Sequence, residues 1–260
     1  MRLLFIGDVV SHLGCDFLGS KFYSIKREYN IDVTVVNGEN SADGNGITPF
    51  SCSCLTKIGA DVITTGNHAF RRKEAAEIFD SCEHLLRPLN YPEGVIGKGV
   101  YIIDMGRCRL AFINLMGVVY MEPIDNPFVS IDKALKQLDT KNIFVDFHAE
   151  ATAEKKAMGY FLDGRVTAVL GTHTHVQTAD EQLLPEGTAY ITDVGFTGPE
   201  ESVLGVKKEL AIQKQLYHFP VKFSEADTPC CINGAIVDFD EKTGKARSIE
   251  RITVRETPRR

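Results

Sequence analysis

The sequence predicts a mixed α/β fold in which two packed sheets carry helices on their outer faces. Three observations lead there. Short, β-branched apolar runs recur along the chain, each followed by Gly or a polar cluster and often by an amphipathic stretch, which is how buried strands alternating with helices read. Other apolar runs are joined only by short, turn-rich segments and read as hairpins, of which a purely parallel, doubly wound sheet needs few. Finally, 260 residues with 43% hydrophobic and 25% charged side chains suffice for one α/β domain with a buried core and are short for two. No repeat, low-complexity tract or Pro/Gly/Ser linker interrupts the chain, so one domain is expected over 1–260.

The runs at 3–6, 33–36, 61–65, 143–147 and 166–170 are the expected buried strands. Helical periodicity fits 14–28, 49–58, 71–80, 130–139 and 152–161. In the fourth of these, Ile131, Ala134, Leu135 and Leu138 fall inward, with Asp132, Lys133, Lys136 and Gln137 outward. Strand-like runs at 100–104 and 109–115 flank the turn Met105-Gly106-Arg107-Cys108 and predict a hairpin. A further strand is expected at 190–193. Runs at 235–239 and 246–254 flank Asp240-Glu241-Lys242-Thr243-Gly244, a second hairpin. Residues 197–219, with Gly198-Pro199 and Gly205, are expected to form a helical loop region near a site.

Net charge is −6, which gives no electrostatic reason for binding long nucleic acid, whose affinity rests on Lys and Arg. A small phosphorylated ligand remains compatible, because a bound metal supplies positive charge locally. The opening Met1-Arg2-Leu3-Leu4-Phe5-Ile6 reaches Gly7-Asp8 too soon for a signal peptide, and no run approaches the roughly 18 apolar residues of a membrane span. A cytoplasmic location is therefore expected. The seven cysteines are odd in number and scattered, unlike a disulfide framework. Cys52-Ser53-Cys54 could hold a soft metal, but no second Cys/His pair lies nearby; small, partly buried side chains on a helix are the plainer reading.

The chemistry falls at the strand ends. The first run leads to Gly7-Asp8, the second to Gly38-Glu39-Asn40, the third to Gly66-Asn67-His68, the fourth to His148 and the fifth to Gly171-Thr172-His173-Thr174-His175. Ligand sites in α/β sheets form outside the carboxyl ends of strands, so five such ends would converge on one crevice. Each cluster has a plainer explanation alone: Asp8 or Asn67-His68 as a helix cap, Glu39-Asn40 as a turn, His148 as a structural histidine. Their recurrence at successive strand ends is what those explanations handle poorly. Carboxylate, amide and imidazole without thiolate suit manganese, iron or zinc. A shared carboxylate with three histidines and two amides suits two ions rather than one.

This ordered set resembles the calcineurin-like metallophosphoesterase superfamily, with two departures: Val10 stands where the first motif usually has His, and Glu39 where the bridging Asp usually is. Those departures are similar to the YmdB-type phosphodiesterases. So are Gly46-Ile47-Thr48-Pro49, Leu86-Arg87-Pro88, Asn90-Tyr91-Pro92, Phe144 through Thr152, Gly171 through Asp180, Tyr190 through Gly195 and Thr197-Gly198-Pro199. The resemblance implies a four-layer α/β/β/α sandwich of two mixed sheets. It implies two metal ions per subunit, iron first, with manganese or zinc as alternatives. One would take Asp8, Glu39, Asn40 and His175; the other Glu39, Asn67, His148 and His173, with Glu39 bridging. It also implies hydrolysis of 2′,3′-cyclic nucleotides at the 2′ ester, by a hydroxide held between the metals, with His68 as proton donor. Ala69-Phe70 after His68 departs from the more usual pair. Self-association is a family habit. Two other readings stay open: a phosphatase or phosphodiesterase for another small phosphate ester, and a non-catalytic, metal-stabilised regulatory protein. His12, Arg87 and Tyr91 are read either as pocket contacts or as surface and structural residues.

Overall fold

The computed structural model describes residues 1–256; residues 257–260, included in the expected domain, lie outside the described residues. In chain order the elements are β1 (Arg2–Ile6), β2 (Asp8–Val9), α1 (Ser11–Tyr29), β3 (Val33–Asn37), α2 (Pro49–Ile58), β4 (Val62–Thr64) and α3 (Ala75–Ser81). There follow β5 (Val100–Asp104), β6 (Arg109–Met116), α4 (Pro127–Leu135), β7 (Asn142–His148), α5 (Thr152–Leu162), β8 (Ala168–Thr172), β9 (Gln182–Leu183) and β10 (Ala189–Ile191). The chain continues through β11 (Phe196–Pro199), α6 (Lys208–Tyr217), β12 (Cys230–Phe239) and β13 (Ala246–Arg255).

Side-chain alternation along the strands builds the layers, because successive residues face opposite sides of a sheet. Leu4 and Ile6 pack outward with Leu18 and Phe22 of α1, Leu55 of α2 and Phe79 of α3. Leu3 and Phe5 point inward, where they meet Phe112, Phe144 and Leu170 of the second sheet. On the far side of that sheet, Ile113, Val145 and Val169 pack against Ile131 of α4 and Met158 and Leu162 of α5. Three apolar layers thus separate helices, sheet, sheet and helices, the expected α/β/β/α order. The first sheet has seven strands, ordered β2-β11-β12-β1-β3-β4 with β13 on β12; the second has six, ordered β5-β6-β7-β8-β10-β9. Both are mixed. β1, β3 and β4 run parallel, as do β6, β7, β8 and β10, so their carboxyl ends share one edge. Both expected hairpins form: β5 pairs antiparallel with β6, and β12 with β13.

The differences are local. The fourth helix starts at Pro127, earlier than its apolar stripe suggests, because the Asn126 side chain accepts from the Phe128 and Val129 amides and Pro127 fits the first turn. The third begins only at Ala75. Before it, Ala69, Arg71 and Ala75 donate three residues back, to Gly66, His68 and Arg72, forming successive tight turns. Residues 197–219 hold a strand end as well as a helix: β11 pairs parallel with β2, Phe196 opposite Asp8. Among the described residues, no helix is long and apolar enough to cross a membrane.

Candidate metal centre

All seven expected donors meet at the shared carboxyl edge. Asp8 opens β2, Glu39 and Asn40 follow β3, Asn67 follows β4, His148 ends β7, and His173 and His175 follow β8. Asp8, Glu39 and His148 are fully buried. The register explains the convergence, since His148 lies directly opposite Thr172 on neighbouring parallel strands. Gly66 makes room for it: a Cβ there would fall 2.2 Å from His148 Nε2 and 2.4 Å from Glu39 Oε2.

Glu39 divides the donors into two groups. On one side, His148 Nε2 lies 3.2 Å from Glu39 Oε2, 2.9 Å from Asn67 Oδ1 and 3.1 Å from His173 Nδ1. On the other, the Asn40 amide lies 2.9 Å from Glu39 Oε1 and 3.4 Å from His175 Nε2, which is itself 3.7 Å from Asp8 Oδ1. His68 reaches the donors through Glu39. Its backbone donates to Glu39 Oε2 at 3.1 Å, its Nδ1 lies 3.1 Å from Glu39 Oε1, and it lines a cavity of about 470 Å³ above the donors. Val10, Leu204, Val206 and Phe223 give that cavity an apolar side, and Asn45, Glu150 and Glu225 a polar one.

The donor set fits metal ions. Asp8 Oδ1 is buried with no hydrogen-bond partner among the described residues, a costly arrangement for a group that does not meet a ligand. Glu39, His148 and His173 offer ligand atoms within 4.8 Å of one another. Burial and neighbouring charge pull the donors in different directions. Burial, reinforced by Glu39 and Asp193, pushes Asp8 up to about 7 against the pull of His148. Glu39 is held well below the usual carboxylate range because His148 and His68 outweigh its burial. Burial and then the neighbouring His148 push His173 down to about 3, and burial lowers His175. These two imidazoles stay neutral, the form that coordinates a metal.

The family described as YmdB-like protein matches residues 4–252. The chain belongs to that family. It is 45% identical over 256 residues to the 2′,3′-cyclic-nucleotide 2′-phosphodiesterase of Bacillus subtilis (strain 168), covering 98% of this chain and 97% of the other. A crystal structure of a novel phosphatase from Mycoplasma pneumoniae superposes with a TM-score of 0.93 at 32% identity, covering 98% of this chain and 93% of that one. The calcineurin-like phosphoesterase YfkN of Bacillus subtilis, at 11% identity and a TM-score of 0.55 over 99% of this chain and 90% of that one, shares the fold. This YmdB-like chain is a phosphoesterase of calcineurin-like fold.

Several residues of this YmdB-like site carry no motif of their own in the sequence. Thr172 Oγ1 lies 2.9 Å from His148 Nδ1 and donates to Asp146 Oδ1 at 2.7 Å, while Asn37 donates to Asp146 Oδ2 at 3.0 Å. With Thr172 donating onward, His148 Nδ1 donates to Thr172 Oγ1 and Nε2 faces the other donors. Glu150 Oε2, 3.0 Å from His173 Nε2, does the same for His173 and turns Nδ1 inward. Such outer partners fix tautomer and ring orientation. His12 is exposed, 2.8 Å from Asp43. Arg87 is structural: it is buried and donates to the carbonyls of Pro88, Leu89 and Val95. Phe70, at the Ala69-Phe70 departure, packs against Phe79 and Tyr91 at 5.0 and 5.4 Å.

A buried ion pair holds the His-Thr-His turn. Lys155 of α5 donates to the Thr172 carbonyl at 2.6 Å and to Asp193 Oδ2 at 2.7 Å. Asp193 Oδ2 accepts from the Thr174 backbone and hydroxyl at 3.0 and 2.8 Å. His173 and His175 have φ of 99° and 63°, strained for residues with a Cβ, so the turn needs this anchor. Lys155 and Asp193 side chains are 1% and 0% exposed. Lys155→Met should therefore cost about 3–5 kcal/mol by stranding a buried carboxylate. By thermal denaturation of the metal-free protein that is a fall in Tm on the order of 10 °C. An unchanged Tm would show that the pair does not anchor the turn.

Proposed function

We propose that this chain hydrolyses 2′,3′-cyclic nucleotides at the 2′ ester and leaves a 3′-phosphate. The observation that carries the reading is the position of Glu39 between two groups of donors on the floor of a cavity of about 470 Å³. A cavity of that size suits a small ligand. Asp8, Glu39, Asn40 and His175 would hold one metal ion, and Glu39, Asn67, His148 and His173 the other. When bound, two such ions supply a hydroxide nucleophile and offset charge on the phosphoryl oxygens. Nitrogen and oxygen donors without thiolate accept iron, manganese or zinc.

The chain's own residues supply the rest. Glu39 Oε1 accepts the Nδ1 proton of His68, so in the imidazolium form His68 Nε2 is the atom that hands a second proton to the leaving 2′ oxygen. Val10, where a histidine is usual, brings no second imidazole to that side of the cavity. The apolar side formed by Leu204, Val206 and Phe223 excludes water and accepts the flat face of a base. The free cysteines and the lack of a long apolar helix among the described residues fit a cytoplasmic enzyme.

The deciding experiment is turnover of 2′,3′-cyclic AMP by purified protein whose metals are quantified. The expected product by chromatography is 3′-AMP. Formation of 2′-AMP instead would overturn the ester assignment. Turnover of simple phosphomonoesters, with none of the cyclic diester, would favour the phosphatase reading.

A further inference from the structure

A second polar cluster lies where α2 meets the end of α3, and the catalytic reading does not use it. Cys52, buried on α2, and Cys82, which follows the last residue of α3, bring their Sγ atoms to 3.9 Å. His84 Nε2 lies 3.5 Å from Cys82 Sγ and 3.0 Å from Thr56 Oγ1. Thr56 in turn donates to the Cys52 carbonyl at 3.0 Å, which fixes the imidazole beside the sulfurs. We propose that Cys52 and Cys82 form a reversible disulfide on exposure to a hydroperoxide, with Cys82 as the attacking sulfur.

The geometry asks for little movement. A disulfide needs its sulfurs about 2.05 Å apart, so each must advance about 1 Å, which side-chain rotation can deliver. The two sulfurs are unequal. Cys82 is half-buried and reachable, whereas Cys52 is nearly enclosed. The Cys52 thiol donates to Cys82, and with help from His84 this holds Cys82 down to about 5. The same hydrogen bond, together with burial, pushes Cys52 up. The lowered Cys82 beside the raised Cys52 favours an attacking thiolate next to a thiol, the combination that thiol oxidation requires. Among the other cysteines, burial instead raises Cys15, Cys108, Cys230 and Cys231.

The steps balance. Cys82 thiolate attacks the peroxide, its S–O bond forming as the O–O bond breaks, and hydroxide leaves and is protonated to water. Cys52 sulfur then attacks the sulfenic sulfur, the S–O bond breaks, and a second water departs with the Cys52 proton. Two thiols are oxidised and one peroxide is reduced. The bond would staple the helix that follows Glu39-Asn40 to the helix that follows Asn67-His68. The first of these already touches the site through Ser41 Oγ, which donates to Ser51 Oγ of α2 at 2.9 Å.

The test treats the metal-loaded protein with a small excess of hydrogen peroxide, blocks remaining thiols with iodoacetamide, and maps the peptides by mass spectrometry. The expected result is a Cys52–Cys82 linked peptide, lighter than its parts by two hydrogens and released by dithiothreitol. It should persist in Cys54→Ser and vanish in Cys82→Ser. Full alkylation of both Cys52 and Cys82 after peroxide, or linkage through Cys54, would overturn the proposal. A second measurement needs no substitution at sulfur. The pH dependence of iodoacetamide labelling at Cys82 should have a midpoint far below the ordinary thiol value of about 8.5, and His84→Gln should raise it. A wild-type midpoint at the ordinary value would overturn the assignment of Cys82 as the attacking sulfur.

Discussion

Glu39→Ala should leave the purified protein with neither metal ion and with cyclic-nucleotide turnover at background. Its two carboxylate oxygens serve different sides, Oε1 toward Asn40 and Oε2 toward His148. Losing one side chain therefore breaks both donor groups at once, whereas Asp8→Ala removes a donor from only one. Elemental analysis should thus read close to zero ions per chain for Glu39→Ala and close to one for Asp8→Ala. Glu39→Gln tests the charge separately. It keeps the shape but removes the buried negative charge that two cations would share, and it should lose metal as Glu39→Ala does. Two ions per chain in Glu39→Ala would remove Glu39 from the ligand set and, with it, the division into two groups. Circular dichroism of each variant separates loss of metal from loss of fold, since the carboxylate lies at the strand ends and not in any of the three apolar layers.

Much of this was legible in the sequence because both signals are local. Leu3-Leu4-Phe5-Ile6 faces two different cores by simple alternation, and a run apolar on both faces is what a strand between layers must be. Parallel strands also place consecutive ends on one edge, so donors scattered over more than 160 residues of chain could be gathered without knowing the sheet order. What escaped were groups whose meaning depends on partners far away in sequence. Asp146 lies in an apolar run and reads as an interruption of a strand until Thr172 and Asn37 are seen against it. Lys155 reads as a surface lysine of an amphipathic helix, yet it is buried on Asp193. The short pairing of β2 with β11 joins Asp8 to Phe196, and no two-residue pattern announces such a contact. The helix bounds shifted for a similar reason, since Asn126 and the turns before Ala75 decide them rather than the apolar period.

His68→Ala should keep both metals and lose about 10²–10⁴ in kcat on 2′,3′-cyclic AMP, the range general-acid catalysis contributes. The geometry sets it beside the ligands, in contact with Glu39. His68 meets Glu39 through its backbone N–H and Nδ1 and lines the cavity, while Glu39, His148 and His173 make the close cluster of candidate ligand atoms. A lost structural contact to Glu39 would also slow the enzyme, so rate alone does not assign the proton. The leaving group does. A ribose 2′ oxygen departs as a strongly basic alkoxide and needs the proton, whereas p-nitrophenolate departs readily without it. The loss should therefore shrink to a few-fold on bis(p-nitrophenyl) phosphate if His68 is the acid. It should be equally large on both substrates if His68 only steadies Glu39. The pH profile supplies an independent readout: the limb on which wild-type kcat falls as the acid loses its proton should be absent from the variant. Equal losses on the two esters, or a variant that keeps that limb, would return His68 to a structural role and leave the leaving oxygen to find its proton elsewhere.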